Sequence, residues 1–259
     1  MTDNEVSRFI DLLGYPIEYY WTRPPKKGET VIIMLHEGLG SLSTWQNFPR
    51  SLSDKTRFPI LVYSRHGYGR SEIIEGSRGK NYMHNEALRI LPALLEELSI
   101  SDPVLLGHSD GASISLIHAG SGKWAVRALI LEAAHVFVEE ETLVGIRAIR
   151  EAYIKGDLKR SLARYHDDPD KSFYGWNDLW LNPDFRDWNI ESYLEMVDCP
   201  ILLLQGENDE YGTKHQINKI TNKVRGSVDV RVIPSCGHSP HRDHPKLVLD
   251  IMSKFIREL

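Results

Sequence analysis

Val104-Leu105-Leu106-Gly107-His108-Ser109-Asp110-Gly111-Ala112-Ser113-Ile114-Ser115 is the stretch around which the chain is organised. A short apolar run ends at Leu106, a helix-compatible segment begins after Gly111, and Gly-x-Ser-x-Gly stands between them. This spacing predicts a strand, a sharp turn and a helix, with Ser109 at the apex. A serine so placed is forced into strained backbone angles, so the positions two residues either side must be small. Gly107 and Gly111 meet that demand. The turn lifts the hydroxyl above the sheet edge. It also aims the Asp110 amide and the helix N-terminus at whatever bonds to the serine oxygen. A glycine-rich turn with an incidental serine has the same five residues, so the surrounding strand and helix decide the reading.

Outward from this turn the pattern repeats. Val31-Ile32-Ile33-Met34-Leu35 and Ile60-Leu61-Val62-Tyr63 are continuous apolar runs bounded by turns, as expected of strands covered on both faces. The first leads into His36-Glu37-Gly38-Leu39-Gly40-Ser41, too rich in glycine for regular structure, and a helix is predicted through Trp45 to about residue 55. Residues 17–21 read as an early strand and 126–131 as a later one. Over 83–98 the apolar residues Ala87, Leu88, Leu91, Leu94, Leu95 and Leu98 keep helical spacing despite Pro92. Strands alternating with helices predict the α/β class, with a mostly parallel central sheet flanked by helices.

The rhythm breaks after His135. Up to about residue 197 there is no strand-like run. Helical pieces at 141–155 and 157–165 precede a stretch dense in aromatics: Phe173, Tyr174, Trp176, Trp180, Phe185, Trp188 and Tyr193. The pattern resumes at 200–204, continues through a helix near 217–224 and a strand at 228–233, and closes with a helix from Pro245 to Leu259. The expected organisation is therefore a core of 1–135 and 197–259 with a helical cap, 136–196, inserted over the carboxyl edge of the sheet, where open parallel sheets place their ligands. No internal repeat or low-complexity linker is evident.

A serine hydroxyl becomes a nucleophile when a base takes its proton and an acid holds the base. His238 lies just after the last strand, in Ser235-Cys236-Gly237-His238-Ser239. The acid belongs after the preceding strand, where Gln205-Gly206-Glu207-Asn208-Asp209-Glu210-Tyr211 offers Asp209, with Glu207, Glu210 and Glu132 as rivals. Ser109, Asp209, His238 is the order nucleophile, acid, base. An oxyanion requires two backbone donors. The Asp110 amide is one and Gly38 is the choice for the second, with Glu37 the near alternative. His135, Trp176, Trp180, Trp188 and Glu37 are candidates for the substrate pocket, although aromatic residues also serve as core in an inserted helical segment.

Taken together, Leu35-His36 with Gly40-Ser41 and Trp45, Arg65-His66-Gly67-Tyr68-Gly69-Arg70-Ser71, Gly107-His108-Ser109-Asp110-Gly111, Gly206 with Asp209, and Gly237-His238 resemble the α/β-hydrolase fold superfamily over nearly the whole chain. Within that superfamily the resemblance is to its serine-nucleophile, esterase- or lipase-like members with a helical cap. It implies hydrolysis of a small carboxylic ester, thioester or lactone through an acyl-enzyme on Ser109, with no cofactor. Two other outcomes remain open within the same resemblance: hydrolysis of a carbon–carbon bond in a vinylogous diketone by the same three residues, and a ligand receptor that keeps them. Glu37 departs from the family pattern, which often has His-Gly-x-x-Gly here. Its carboxylate either hydrogen-bonds a substrate or braces the loop.

Composition narrows the setting. The chain of 259 residues carries a formal charge of −5 and no Lys/Arg block, so neither nucleic acid nor an anionic membrane is an expected partner. A small-molecule acyl substrate and a monomer or homodimer are expected. The first thirty residues hold Asp3, Glu5, Arg8, Asp11 and Glu18 among short apolar pieces, without the apolar core of a signal peptide, and no apolar run approaches the length of about 18 that spans a bilayer. With two cysteines, Cys199 and Cys236, free thiols and a cytoplasmic location are expected. His238, His241 and His244 invite a metal reading, but their placement in a predicted loop argues against it. No metal is expected. Gly67-Tyr68-Gly69 is too short for a phosphate loop.

Overall fold

The computed structural model describes residues 7–76 and 78–259, so the start of the predicted 1–135 portion and Ser77 lie outside the described residues. Its strands are β1 (Arg8–Leu12), β2 (Tyr15–Trp21), β3 (Ile32–Leu35), β4 (Ile60–Tyr63), β5 (Val104–His108), β6 (Ala128–Glu132), β7 (Ile201–Gly206) and β8 (Val228–Ile233). They form one sheet in the order β1-β2-β4-β3-β5-β6-β7-β8. From β4 to β8 every pairing is parallel, while β1 and β2 join antiparallel at one edge.

The helices are α1 (Phe48–Thr56), α2 (Tyr82–Asn85), α3 (Leu91–Glu97), α4 (Asp110–Gly120), α5 (Glu140–Lys155), α6 (Asp157–Leu162), α7 (Pro169–Leu181), α8 (Glu191–Leu194), α9 (Lys214–Lys223), α10 (Pro240–Asp243) and α11 (Pro245–Arg257). Strand side chains alternate between the faces of the sheet. Ile33, Leu35, Leu105, Leu129 and Leu203 therefore pack toward α3, α4 and α9, through residues such as Leu94, Ile117 and Ile220. Ile32, Met34, Leu106, Ile130 and Leu202 face α1 and α11, through Leu52, Val248 and Met252. Both faces are covered, which is why these strands read as unbroken apolar runs. β8 is the exception: it pairs only with β7 among the described strands and is half exposed along its length.

Several predicted elements change on inspection. The early strand has a partner, β1, in a segment whose exposed side chains gave no apolar run. The helix expected from Trp45 is a 3-10 turn, Leu42–Trp45, then α1, divided by Gln46 at φ 51°. α4 starts at Asp110, directly after the serine, instead of after Gly111. The 83–98 helix contains a π-helical turn, Glu86–Ile90, in which the Leu91 N–H reaches back to the Glu86 carbonyl. Pro92 has no N–H and its ring crowds the carbonyl four residues back, and the wider turn relieves both problems. The helix expected at 157–165 stops at Leu162. His241 sits in α10 and not in a loop.

Between β6 and β7 the chain leaves the sheet and forms α5 to α8. This segment adds a small cluster of Tyr153, Leu162 and Phe173 and extends the main core with Trp176, Trp180, Phe185 and Trp188. Tyr153 stacks on Phe173 with ring centroids 3.7 Å apart, and Phe185 stacks on Trp188 at 5.7 Å. Trp180 anchors this segment to the sheet side by donating from Nε1 to the Tyr82 hydroxyl at 3.0 Å.

Candidate active site

Ser109 stands between the last residue of β5 and the first of α4, at φ 53° and ψ −116°. Neighbouring backbone demands the strain and the glycines together. A Cβ on Gly107 would lie 2.3 Å from the Gly111 carbonyl oxygen, and one on Gly111 would lie 2.0 Å from the Leu35 oxygen. The Ser109 N–H is held by the Glu132 carbonyl at 2.8 Å. The hydroxyl is thus fixed at the carboxyl end of the central strands.

His238 and Asp209 arrive from the ends of β8 and β7. His238 Nε2 is 2.9 Å from Ser109 Oγ, and Nδ1 lies 2.8 and 2.9 Å from the two carboxylate oxygens of Asp209. A carboxylate only accepts, so Nδ1 carries the proton and Nε2 turns its lone pair to the serine hydroxyl. Asp209 is itself held: Gln205 Nε2 donates to Oδ2 at 2.6 Å, and the Tyr211 N–H donates to Oδ1 at 2.8 Å. Burial pulls the His238 pKa down, but the charge and hydrogen bond of Asp209 outweigh it and leave the imidazole above its ordinary value of 6.5. Asp209 is pushed up by burial, yet the attraction of His238 and its hydrogen bonds leave it below the usual aspartate value.

The rival acids go elsewhere. Glu132 is fully buried and bonds His241 Nδ1 at 2.6 Å. Glu207 is exposed and accepts from the Ser235 N–H at 3.2 Å. Glu210 is exposed at the rim of the pocket. The histidine triplet is likewise dispersed, with His244 reaching the Ser235 carbonyl at 3.3 Å. A different set, His108, Glu132 and His241, brings one potential ligand atom from each residue within 4.8 Å of one another. Within this set His241 Nδ1 already bonds Glu132, and His108 spends Nε2 outside it, on the His238 carbonyl at 2.8 Å.

Gly38 and Asp110 both border a cavity of about 340 Å³ above Ser109, and so do Glu37, His135, Trp176 and Trp180, whereas Trp188 packs against Phe185 in the core instead of lining it. Ile146, Ile149 and Leu162, from α5 and α6, close its far side. The Glu37 carboxylate does not project freely into this space. It pairs with Arg242 Nη2 at 2.6 Å and lies 3.6 Å from His108 Nδ1. Burial pushes its pKa up, but the charge of Arg242 leads the effects that override this and hold it well below the carboxylate range. Of the two roles considered for Glu37, bracing the loop is the one its contacts describe.

Sequence reasoning missed four participants. Gln205 and Arg242 carry no motif. Tyr82 donates its hydroxyl to Asp110 Oδ2 at 2.7 Å, a contact made between distant elements. Arg65 stood inside a quoted motif but without an assigned role. Both cysteines are buried and free, with burial pushing each thiol up to about 12. No helix among the described residues is long and apolar enough to cross a membrane.

The comparisons agree with this architecture. A mouse protein named serine hydrolase BPHL is 26% identical over 231 residues, covering 83% of this chain and 75% of its own. A thermophilic esterase from Thermogutta terrifontis superposes with a TM-score of 0.75 at 17% identity over 98% of each chain, and the Rhodococcus esterase RhEst1 with 0.73 at 18% over 98% of this chain and 99% of its own. The model of the alpha/beta hydrolase family matches residues 32–251. With its eight-stranded sheet, its covered faces and its serine at the strand-to-helix turn, the chain belongs to the alpha/beta hydrolase family.

Proposed function

We propose that the protein is a serine hydrolase of small carboxylic esters, with thioesters and lactones as related substrates of the same acyl chemistry. The observation that carries the reading is the continuous path from Asp209 through both nitrogens of His238 to Ser109 Oγ, at 2.8 and 2.9 Å. His238 takes the hydroxyl proton as Ser109 attacks the carbonyl carbon. Asp209 holds the imidazole in the required tautomer and stabilises the imidazolium. The Gly38 and Asp110 amides receive the oxyanion. His238 returns the proton to the leaving alcohol, and water then releases the acyl-enzyme by the same steps. None of this requires a cofactor.

Segment 136–196 acts as a cap in this reading. Trp176, Trp180, Ile146 and Ile149 offer an apolar wall to the acyl group, and the cap limits water at the reacting carbonyl. The esterase and serine-hydrolase names of the relatives support the ester assignment. Turnover of a panel of short p-nitrophenyl acyl esters, with Ser109→Ala as control, tests it. Ester hydrolysis that vanishes in the variant is expected. A parent protein without ester turnover overturns it.

A further inference from the structure

Arg65 stands two residues past the end of β4 and has a side chain only 2% exposed. A guanidinium is costly to bury unless its donors are spent well. Nη2 donates to the main-chain oxygen of Glu37 at 2.8 Å and lies 3.5 Å from Asp110 Oδ2. The Tyr68 ring covers the cation at 4.6 Å. The Glu37 oxygen also receives His36 Nδ1 at 2.7 Å. His36 Nε2 accepts the Arg65 main-chain N–H at 3.0 Å, which fixes the neutral tautomer with its proton on Nδ1. With the Gly40 N–H at 3.1 Å, three donors converge on this single carbonyl, and Arg65 is the charged one among them.

That carbonyl belongs to the peptide unit whose N–H is Gly38. No peptide bond among the described residues is cis, and in a trans peptide C=O and N–H point in opposite directions. Pinning the oxygen behind the loop therefore sets the direction of the Gly38 N–H, and Gly38 borders the cavity with Ser109. Charge on the oxygen also polarises the amide and strengthens its N–H as a donor. On the opposite side, Asp110 heads α4, and its carboxylate is tied by the Tyr82 hydroxyl at 2.7 Å and by Arg65.

The geometry points to Arg65 as the positioning residue of the oxyanion hole: one buried cation that aims both amide donors, Gly38 and Asp110, by holding the carbonyl behind the first and the carboxylate beside the second. This inference rests on the serine-hydrolase reading. In the step it serves, Ser109 Oγ bonds to the carbonyl carbon, the hydroxyl proton passes to His238 and the π pair moves onto oxygen. Arg65 touches none of these atoms and acts through the two amides.

The test is Arg65→Lys, which keeps the charge and loses the planar fork, read on the full chain with Asp110→Asn as the second variant should the first fail to fold. In the lysine variant kcat is expected to fall about 10²-fold, as for loss of an oxyanion donor, with KM within about threefold of the parent. Affinity for a trifluoromethyl ketone, whose serine adduct carries an oxyanion, should fall by a similar factor. The preference for an ester over its thionoester, whose sulfur anion uses the hole poorly, should shrink. Asp110→Asn should move these readouts in the same direction by a smaller factor. Unchanged kcat in a folded Arg65→Lys protein overturns the proposal. So does a lower kcat with unchanged ketone affinity and ester preference, because that pattern marks mere scaffolding. Turnover that survives Ser109→Ala overturns the underlying reading as well, whereas Ser109-dependent turnover indifferent to Arg65 overturns this inference alone.

Discussion

The imidazole of His108 donates from Nε2 to the main-chain carbonyl of His238, 2.8 Å away. The residue beside Ser109 thus grips the backbone of His238, across 130 positions of sequence. His108→Ala leaves that carbonyl without its partner, at about 1–3 kcal/mol. The expected result is a lower thermal midpoint together with a reduced kcat and a nearly unchanged KM. Parental values of both in the variant would refute the grip.

The nucleophile gives the sharpest prediction. Ser109→Ala should abolish covalent labelling by a serine-directed fluorophosphonate and lower turnover by at least about 10³-fold, as loss of a triad member does. Intact-mass analysis of the labelled protein checks it. A label found on another serine sinks the assignment.

Asp209→Asn should cost about 10³ to 10⁴-fold in kcat/KM, while Glu207→Gln and Glu210→Gln should cost about tenfold or less. The pH profile adds a second reading. Acylation needs neutral His238, so kcat/KM rises with pH through its pKa, and in the parent this limb stands above 6.5 because Asp209 outweighs burial. In Asp209→Asn burial is opposed only by the weaker charges of Glu210 and Glu37, and the limb moves to lower pH than in the parent. The stability linkage has the matching sign. With its folded pKa raised, His238 contributes stability that is full below the unfolded value and is lost as pH rises through the folded one.

Gly38→Ala inserts a Cβ that would stand 2.1 Å from Trp176 Nε1 and 2.5 Å from Cε2. The indole is 8% exposed and sits in α7, so it has little room to retreat. Overpacking of this kind costs about 1–3 kcal/mol, and here it also displaces the amide proposed as an oxyanion donor. A drop in both thermal midpoint and kcat is expected, measured by calorimetry and steady-state kinetics. Parental activity would show that Gly38 contributes no donor.

Within the pocket, each methylene added to the acyl chain should raise kcat/KM by about fourfold, the equivalent of about 0.8 kcal/mol per buried CH₂. The rise should end once the cavity of about 340 Å³ is filled. A flat series from acetate to octanoate would place the acyl group elsewhere.

Much of this was legible from the chain because it follows from local demands. Gly107 and Gly111 had to be small for Ser109 to stand where it does, Asp209 follows the buried apolar run of β7 by three residues, and His238 lies in the loop after the alternating, half-exposed β8. What stayed hidden is set by long-range packing. Arg65 and Asp110 are 45 positions apart, and Glu37 and Arg242 are 205 apart. No periodicity links such pairs, because their contact exists only once β3, β4 and β5 lie side by side. The π turn at Glu86–Ile90 was obscured in the same way, since its apolar spacing is close to that of an ordinary helix.

The position of β8 has a further consequence. Ser109 hangs from β5, deep between β3 and β6, whereas His238 hangs from the half-exposed outermost strand. Outer strands open at lower free energy than the middle of a sheet. As denaturant is raised, the nucleophile should therefore lose its base while most of the sheet still stands. Phosphonate labelling would disappear at a lower urea concentration than the far-ultraviolet circular dichroism, making catalytic competence a local reporter on the rim of the molecule and not on its centre.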